Sequence, residues 1–318
     1  MKLDSTLEAP SHSRLAKLHD CRRAYGYRYV MGLRSRGSQS TKSLGGKAGH
    51  AALDTLHRLG WEAREIADNH IDAIFSEHVS NPEWLTAEHM KGIIGNYIER
   101  YADEDDDFRR LRLNADDVLK NEAVLYSDLA GRVADDGSFS MNEMNMVVQL
   151  DDKLKMTLVL DMLVERKDGT VWVADHKFTA QYLGQGVLGR YITSKQMPLY
   201  ILAARKLVGR CDGAILNAVW MGQAACNPAS KATKFDRYYF DYTEGQLEEA
   251  LEWAALSRGR AQSETNAFGF NMEYWPQNPS SYCSGCDYLQ LCEVAPAMRP
   301  GRITQWYDLA EAEVEDAE

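Results

Sequence analysis

The stretch from Leu154 to Lys177, LKMTLVLDMLVERKDGTVWVADHK, constrains the fold more than any other part of the chain. Two runs of apolar and β-branched residues flank Asp168-Gly169, a dipeptide suited to a tight turn between antiparallel strands. Each run carries one carboxylate in apolar surroundings, Asp161 in TLVLDMLVE and Asp175 in VWVADHK. Residues two apart on a strand share a face, so Asp175 projects together with Lys177, and the adjacent strand can set Asp161 beside them. Converging carboxylates repel unless a cation neutralises them, and Mg²⁺ or Mn²⁺ takes such hard oxygen ligands. The peptide carbonyl of His176 could add a further ligand. The plain alternative is an Asp–Lys pair that closes a strand end.

The rest of the chain alternates helical and strand patterns. Helices are expected over Ser13 to Val30, Leu44 to Leu59, Trp61 to Tyr101 with a break near Asn81-Pro82, Leu188 to Val208, and from an N-cap at Thr243 to about Gln262. Strands are expected over Ala123 to Leu129, Met144 to Leu150, Leu154 to Glu165, Val171 to Lys177, Ala214 to Met221 and Arg237 to Tyr242, and Asp103 to Asp107 reads as a loop. This order predicts an α/β fold, a mixed central sheet flanked by helices with a helical insertion. The segments divide as 1–43, N-terminal and helical; 44–120, a helical layer; 121–270, the core; 271–300, a cysteine-rich segment; and 301–318, an acidic tail.

Four of the six cysteines are arranged as Cys21 and a late C-x2-C-x5-C group, Cys283, Cys286 and Cys292. Four thiolates suit zinc or an iron–sulfur cluster, and spacing leaves both open. Cys211 and Cys226 stand alone and read as small core residues. The N-terminus lacks the apolar stretch of a signal peptide, and no run approaches the ~18 apolar residues of a membrane span. A cytoplasmic, non-membrane protein is expected, where a disulfide framework is disfavoured.

The formal charge of −11 excludes a surface uniformly basic for nucleic acid, but not a local basic groove. The segment around Cys21 interleaves Arg14, Arg22, Arg23, Tyr25 and Tyr27, with Arg28 and Tyr29 following. Such residues either grip and stack a single DNA strand or form an amphipathic helix that packs its tyrosines inward.

Taken in order, these segments resemble the RecB-type branch of the PD-(D/E)xK nuclease superfamily. GGKAGH carries a G-x-x-x-H element with Gly46 and His50, LVLD supplies Asp161, VADHK supplies Asp175 and Lys177, and QMPLY supplies Gln196 and Tyr200. Glu122 precedes the first strand, where relatives often have an acidic residue. The resemblance covers about Ser11 to Cys292. It implies a restriction-endonuclease-like core, with His50, Asp161 and Asp175 as metal ligands and Lys177 as catalytic residue. Gln196 would support the site, and Tyr200 would contact DNA or pack. Leu158 stands where relatives usually have glycine, and His176 where many have an aromatic residue. The region around Cys21 resembles the iron–sulfur nucleases, including AddB-type subunits and CRISPR-associated RecB-like exonucleases. This implies a [4Fe–4S] cluster on Cys21, Cys283, Cys286 and Cys292, tying the N- and C-terminal segments together.

The implied activity is metal-dependent hydrolysis of DNA from single-stranded ends, in recombination, repair, replication or CRISPR adaptation. The rival readings are a DNA-end-binding module with little catalysis, held within a helicase or integrase complex, and a zinc-stabilised structural protein. No G-x-x-x-x-G-K-[ST] motif is present, so any unwinding would come from a helicase partner. Self-association is left open.

Overall fold

The computed structural model describes residues 5–36, 41–77, 85–105, 108–114, 118, 124–125, 133–140, 142–230 and 234–309. The chain divides into two compact units, one of Gln39–Gln149 and Val159–Leu247, the other of Met1–Ser38, Leu150–Leu158 and Glu248–Glu318.

Five long strands form the central mixed sheet. They run in the spatial order Phe235–Phe240, Gly213–Trp220, Val171–Thr179, Lys155–Arg166, Asn142–Gln149, with short Val124–Leu125 beyond the last. Phe108–Arg110 also pairs with Lys155–Arg166. The Val171–Thr179 strand is antiparallel to Lys155–Arg166 and parallel to Gly213–Trp220. The hairpin anticipated at Asp168-Gly169 is present. Gly169 takes φ +80°, its N–H donates to the Arg166 carbonyl at 2.8 Å, and Asp168 Oδ1 accepts from Thr170 N at 2.9 Å. Only glycine reaches that left-handed conformation without a steric cost.

In the larger unit, helices Thr41–Leu59, Arg64–Ser76 and Ala87–Asp105 pack into one apolar core with Val219 and Met221. The helical layer therefore matches the periodicity read from Trp61 to Tyr101, whose expected break at Asn81-Pro82 lies outside the described residues. The loop expected from Asp103 is instead helix as far as Asp105. The acidic run reads as surface, but Asp105 is buried and bonded to Arg237, which holds the last turn in place.

The expected helix from Leu188 to Val208 is two helices, Gln185–Ile192 and Gln196–Val208. Pro198 explains the restart: it has no N–H to donate, so it sits in a first turn and not in a helix interior. Ser194 Oγ accepts from Gln196 N at 3.2 Å at the junction.

The other unit packs His12–Asp20, the short turns after it, part of Glu244–Phe268 and the C-terminal elements. The expected N-cap holds: Thr243 and Gln246 bond reciprocally, with Thr243 N to Gln246 Oε1 at 2.9 Å and Gln246 N to Thr243 Oγ1 at 3.4 Å. Cys21 interrupts the helix read from Ser13 to Val30; its backbone is extended, at φ −159°. The chain continues as Arg22–Tyr25 and a wide turn over Gly26–Val30. Leu33–Ser35 pairs with Tyr307–Leu309, so the start of the expected acidic tail carries helix Arg299–Trp306 and a strand. Residues 310–318 lie outside the described set.

Candidate active site

Helix Thr41–Leu59 delivers His50 to the sheet by close approach. A Cβ on Gly49 would lie 2.3 Å from the Phe178 ring, so glycine is what lets helix and strand meet there. A Cβ on Gly46, the motif glycine, would meet nothing within 4 Å. The His50 ring lies 5.4 Å from that of Phe178.

Three donors then converge. His50 Nδ1 lies 2.7 Å from Glu143 Oε1 and 3.6 Å from Asp161 Oδ2. His50, Glu143 and Asp161 each offer one ligand atom within 4.8 Å of the others, and no other such group of three occurs among the described residues. Glu143 takes φ +46°, and it is the one non-glycine residue with positive φ among the described residues. Such a conformation costs of order 1–3 kcal/mol and persists where surrounding structure holds it. Here it carries the carboxylate to His50.

The electrostatics agree with this crowding. Burial pushes Asp161 up to about 6, partly offset by His50 and reinforced by Glu143. Burial alone would lower His50, yet the Asp161 charge and the Glu143 hydrogen bond raise it to about 9. The site thus holds a proton on His50 that a divalent cation would displace. One imidazole and two carboxylates are donors that fit Mg²⁺ or, better with nitrogen, Mn²⁺.

Asp175 and Lys177 lie alongside. Asp175 is fully buried, and Lys177 Nζ donates to its Oδ1 at 2.8 Å. Oδ2 is equally close to Nζ but has no hydrogen-bond geometry, which leaves it without a hydrogen-bond partner. Burial raises Asp175 to about 6, against Lys177 and with Asp161. Lys177 stays protonated despite burial, because Asp175 and Asp161 both raise its pKa. The antiparallel register Met162↔Ala174, continued by one step, puts Asp161 opposite Asp175, as the hairpin reading required. On helix Gln196–Val208, Gln196 Nε2 donates to Tyr200 OH at 2.9 Å. Tyr200 is buried; burial and the Asp175 charge raise its pKa while Lys177 opposes them.

His176 points to the opposite sheet face and is buried. Its backbone N–H donates to Asp161 Oδ2 at 2.6 Å. Its ring stacks on His57 at 5.4 Å with 10° between planes. Asn217 Nδ2 lies 3.2 Å from His176 Nδ1, and Arg237 Nε donates to Asn217 Oδ1 at 2.5 Å. Arg237 in turn donates to Asp105 at 2.7 Å and to Tyr97 OH at 3.2 Å. Burial, with the cationic groups around it, lowers the His176 pKa far below its ordinary value, so the ring is neutral.

The structure brings His50, Asp161, Asp175 and Lys177 to one place, with only the backbone of His176 beside Asp161 and the Gln196–Tyr200 pair near Asp175 and Lys177. Glu143 is the residue the sequence reading missed. In NEMNMVVQ it looks like one more polar position on a strand that alternates with buried Met144, Met146 and Val148. Glu122 lies outside the described residues.

The Arg/Tyr segment turns part of itself inward, while Arg22 and Arg23 stay partly exposed. Arg14, Tyr25 and Tyr27 are buried, and Arg14 Nε donates to Tyr25 OH at 3.4 Å. Arg23 Nε donates to the Trp275 carbonyl at 2.8 Å, and Arg22 lies 3.4 Å from Glu264. The inward-packing alternative describes the two tyrosines and Arg14; with no exposed surface they cannot stack or grip DNA.

Cys21, Cys286 and Cys292 sit in or against one apolar cluster with Tyr25, Trp275 and Tyr288. After burial, Cys21 and Cys292 are among the groups that raise the Cys286 thiol, and Cys21 likewise raises Cys292, so the three are electrostatic neighbours. Cys283 lies in the adjoining turn, and its carbonyl accepts from Cys286 N at 3.1 Å. No three thiols come within 4.8 Å of one another. Cys211 is buried, as expected, and Cys226 half-buried. No described helix is long and apolar enough to cross a membrane.

No curated protein matches the sequence. Among solved structures, a candidate exonuclease from Eubacterium rectale is similar with a TM-score of 0.48 and 15% identity, over 91% of this chain and 93% of that one. LHK-Exo in complex with dAMP is similar with a TM-score of 0.24 and 9% identity, over 71% of this chain and 94% of that one. A profile of the PD-(D/E)XK nuclease superfamily matches residues 9–293, which takes in every residue converging on this site, and the chain belongs to that superfamily.

Proposed function

We propose that this protein is a metal-dependent deoxyribonuclease that degrades DNA from single-stranded ends. The observation that carries the reading is the convergence of the His50, Glu143 and Asp161 donors beside the buried Asp175–Lys177 pair. In this reading His50, Asp161 and Asp175 hold Mg²⁺ or Mn²⁺, with Glu143 and the His176 carbonyl completing the set. The bound cation would supply Lewis acidity toward a phosphoryl oxygen and toward water. Lys177, kept cationic by Asp175 and Asp161, orients the attacking water and stabilises charge on the phosphate. Gln196, tied to Tyr200, supports the scissile phosphate.

The same reading places a [4Fe–4S] cluster on Cys21, Cys283, Cys286 and Cys292. Four thiolates can ligate such a cluster, and Cys21, Cys286 and Cys292 lie in or against one apolar core with Cys283 in the adjoining turn. Its role is structural, joining residues 12–25 to residues 281–292.

The test is hydrolysis by anaerobically purified protein of 5′- and 3′-labelled single-stranded and duplex DNA, with Mn²⁺, Mg²⁺ or EDTA. Cleavage that needs metal and vanishes in Asp175→Ala supports the reading, and the labels give polarity. Protein that binds DNA ends but never cuts them would replace it with the end-binding module.

A further inference from the structure

The face that carries Asp175 and Lys177 does not stop at Lys177. In the parallel register Lys177 pairs with Ala218 and Thr179 with Trp220. Alternate residues share a face, so Trp220 lies on the catalytic face, about 7 Å further along the strands. Trp220 is fixed there. A Cβ on Gly222 would lie 2.1 Å from its ring, so the indole folds over a position that only glycine leaves open. Its Nε1 donates to the Ala180 carbonyl at 3.4 Å.

Against this wall stands Tyr182, whose ring meets Trp220 edge-on at 5.4 Å and 80°. Tyr182 is 56% exposed, while Leu183 next to it is buried with Ala218. The adjoining helix brings Tyr191 into the same cluster. Burial raises the Tyr191 phenol, Lys177 lowers it and Asp175 raises it, so this aromatic group adjoins the catalytic pair. Arg190, exposed on that helix, donates to Gln181 and adds positive charge beside Tyr182.

A tyrosine ring set at right angles to a fixed indole, with more than half its surface in solvent, is a stacking platform that bases of any sequence can use. Only a base that has left its own helical stack can offer a face. Tyr25 and Tyr27 are buried and cannot supply this surface; the region after Lys177 can.

Resting on the nuclease reading, we propose that Tyr182, backed by Trp220, stacks on the nucleobase beside the scissile phosphate of an unpaired DNA strand. The site therefore takes single strands, or the frayed end of a duplex, with the strand running from Lys177 toward Tyr182.

The experiment uses an oligonucleotide with 2-aminopurine near its end, whose fluorescence is quenched on stacking, titrated in EDTA with the full-length protein, Tyr182→Phe and Tyr182→Ala. Tyr182 is exposed, so neither change disturbs folding. The wild type and Tyr182→Phe should quench the probe. Tyr182→Ala should restore its fluorescence and weaken single-strand binding about tenfold, as one lost stacked base does. In Mn²⁺ it should raise KM for single strands by a similar factor and leave kcat within about twofold, with duplex binding unchanged. Equal quenching and equal KM in Tyr182→Ala overturn the stacking role and leave the nuclease reading standing. A wild type that neither binds nor cleaves DNA overturns both.

Discussion

The backbone N–H of His176 donates to Asp161 Oδ2 at 2.6 Å, so one carboxylate is anchored by the peptide that separates Asp175 from Lys177. The same oxygen lies 3.6 Å from His50 Nδ1. Asp161 thus joins the helix-borne histidine to the hairpin.

Asp161→Asn keeps the shape and removes one of the crowded charges. The metal-free variant should unfold at the same or a higher temperature, because a carboxylate raised to about 6 by burial opposes folding at neutral pH, by on the order of 2 kcal/mol. Mn²⁺ should raise the melting temperature of the wild type and not of the variant, and cleavage should fall at least about 100-fold. Thermal melts with and without Mn²⁺, beside a cleavage assay, check both.

Glu143 gives a sharper test because backbone and side chain can be separated. Glu143→Gly relieves the positive φ of +46° but deletes the carboxylate. It should fold at least as stably as the wild type and require about tenfold more Mn²⁺ for half-maximal activity. Glu143→Ala should share the metal defect but keep the strain, unfolding in urea about 1 kcal/mol more easily than Glu143→Gly.

Arg237 and Asp105 form a buried ion pair whose side chains are 4% and 2% exposed. Arg237→Met leaves the Asp105 charge uncompensated and should cost about 3–5 kcal/mol, with Asp105→Asn in the same background recovering much of it. Urea denaturation of the two singles and the double measures this. Since Arg237 also holds Asn217 against His176, activity should fall even at temperatures where Arg237→Met remains folded.

Gly46 and Gly49, both on the helix that carries His50, should behave oppositely when substituted. Gly49→Ala drives a methyl into Phe178 and should lower both stability and activity. Gly46→Ala meets open space and gains helix propensity, so its melting temperature should hold or rise by a few degrees. Melting curves of the two variants decide it.

For the cysteines, anaerobic protein should be brown, with about four irons and four sulfides per chain. Cys21→Ser should lose both and melt earlier, and zinc content should stay negligible by elemental analysis. Stoichiometric zinc in colourless protein would contradict the cluster.

Much of the candidate site was legible because its residues break local rules. Asp161 and Asp175 are charges in apolar strands, and Lys177 stands at the two-residue spacing that shares a face. Glu143 broke no such rule, since its strand alternates polar and apolar residues anyway, and only the backbone φ sets it apart. The sheet and the helical layer followed from periodicity. The junction at residues 193–195 was missed because apolar spacing continues across it, although Pro198 marked it. Tyr25 and Tyr27 show the opposite limit. Composition alone could not tell a stacking surface from a packed one, and burial against Trp275 and Tyr288 decides for packing.

The parallel pairing of Val171–Thr179 with Gly213–Trp220 also governs how the protein can come to its fold. A chain halted between Lys177 and Gly213 already contains His50, Glu143, Asp161, Asp175 and Lys177. It lacks the neighbour for one whole edge of the catalytic strand. That edge would present unpaired amide and carbonyl groups flanked by Val171, Trp172 and Val173, an open template for other chains. A nascent or nicked fragment of this kind carries an aggregation-prone edge, and pairing over a distance of some forty residues makes its closure a slow step in folding.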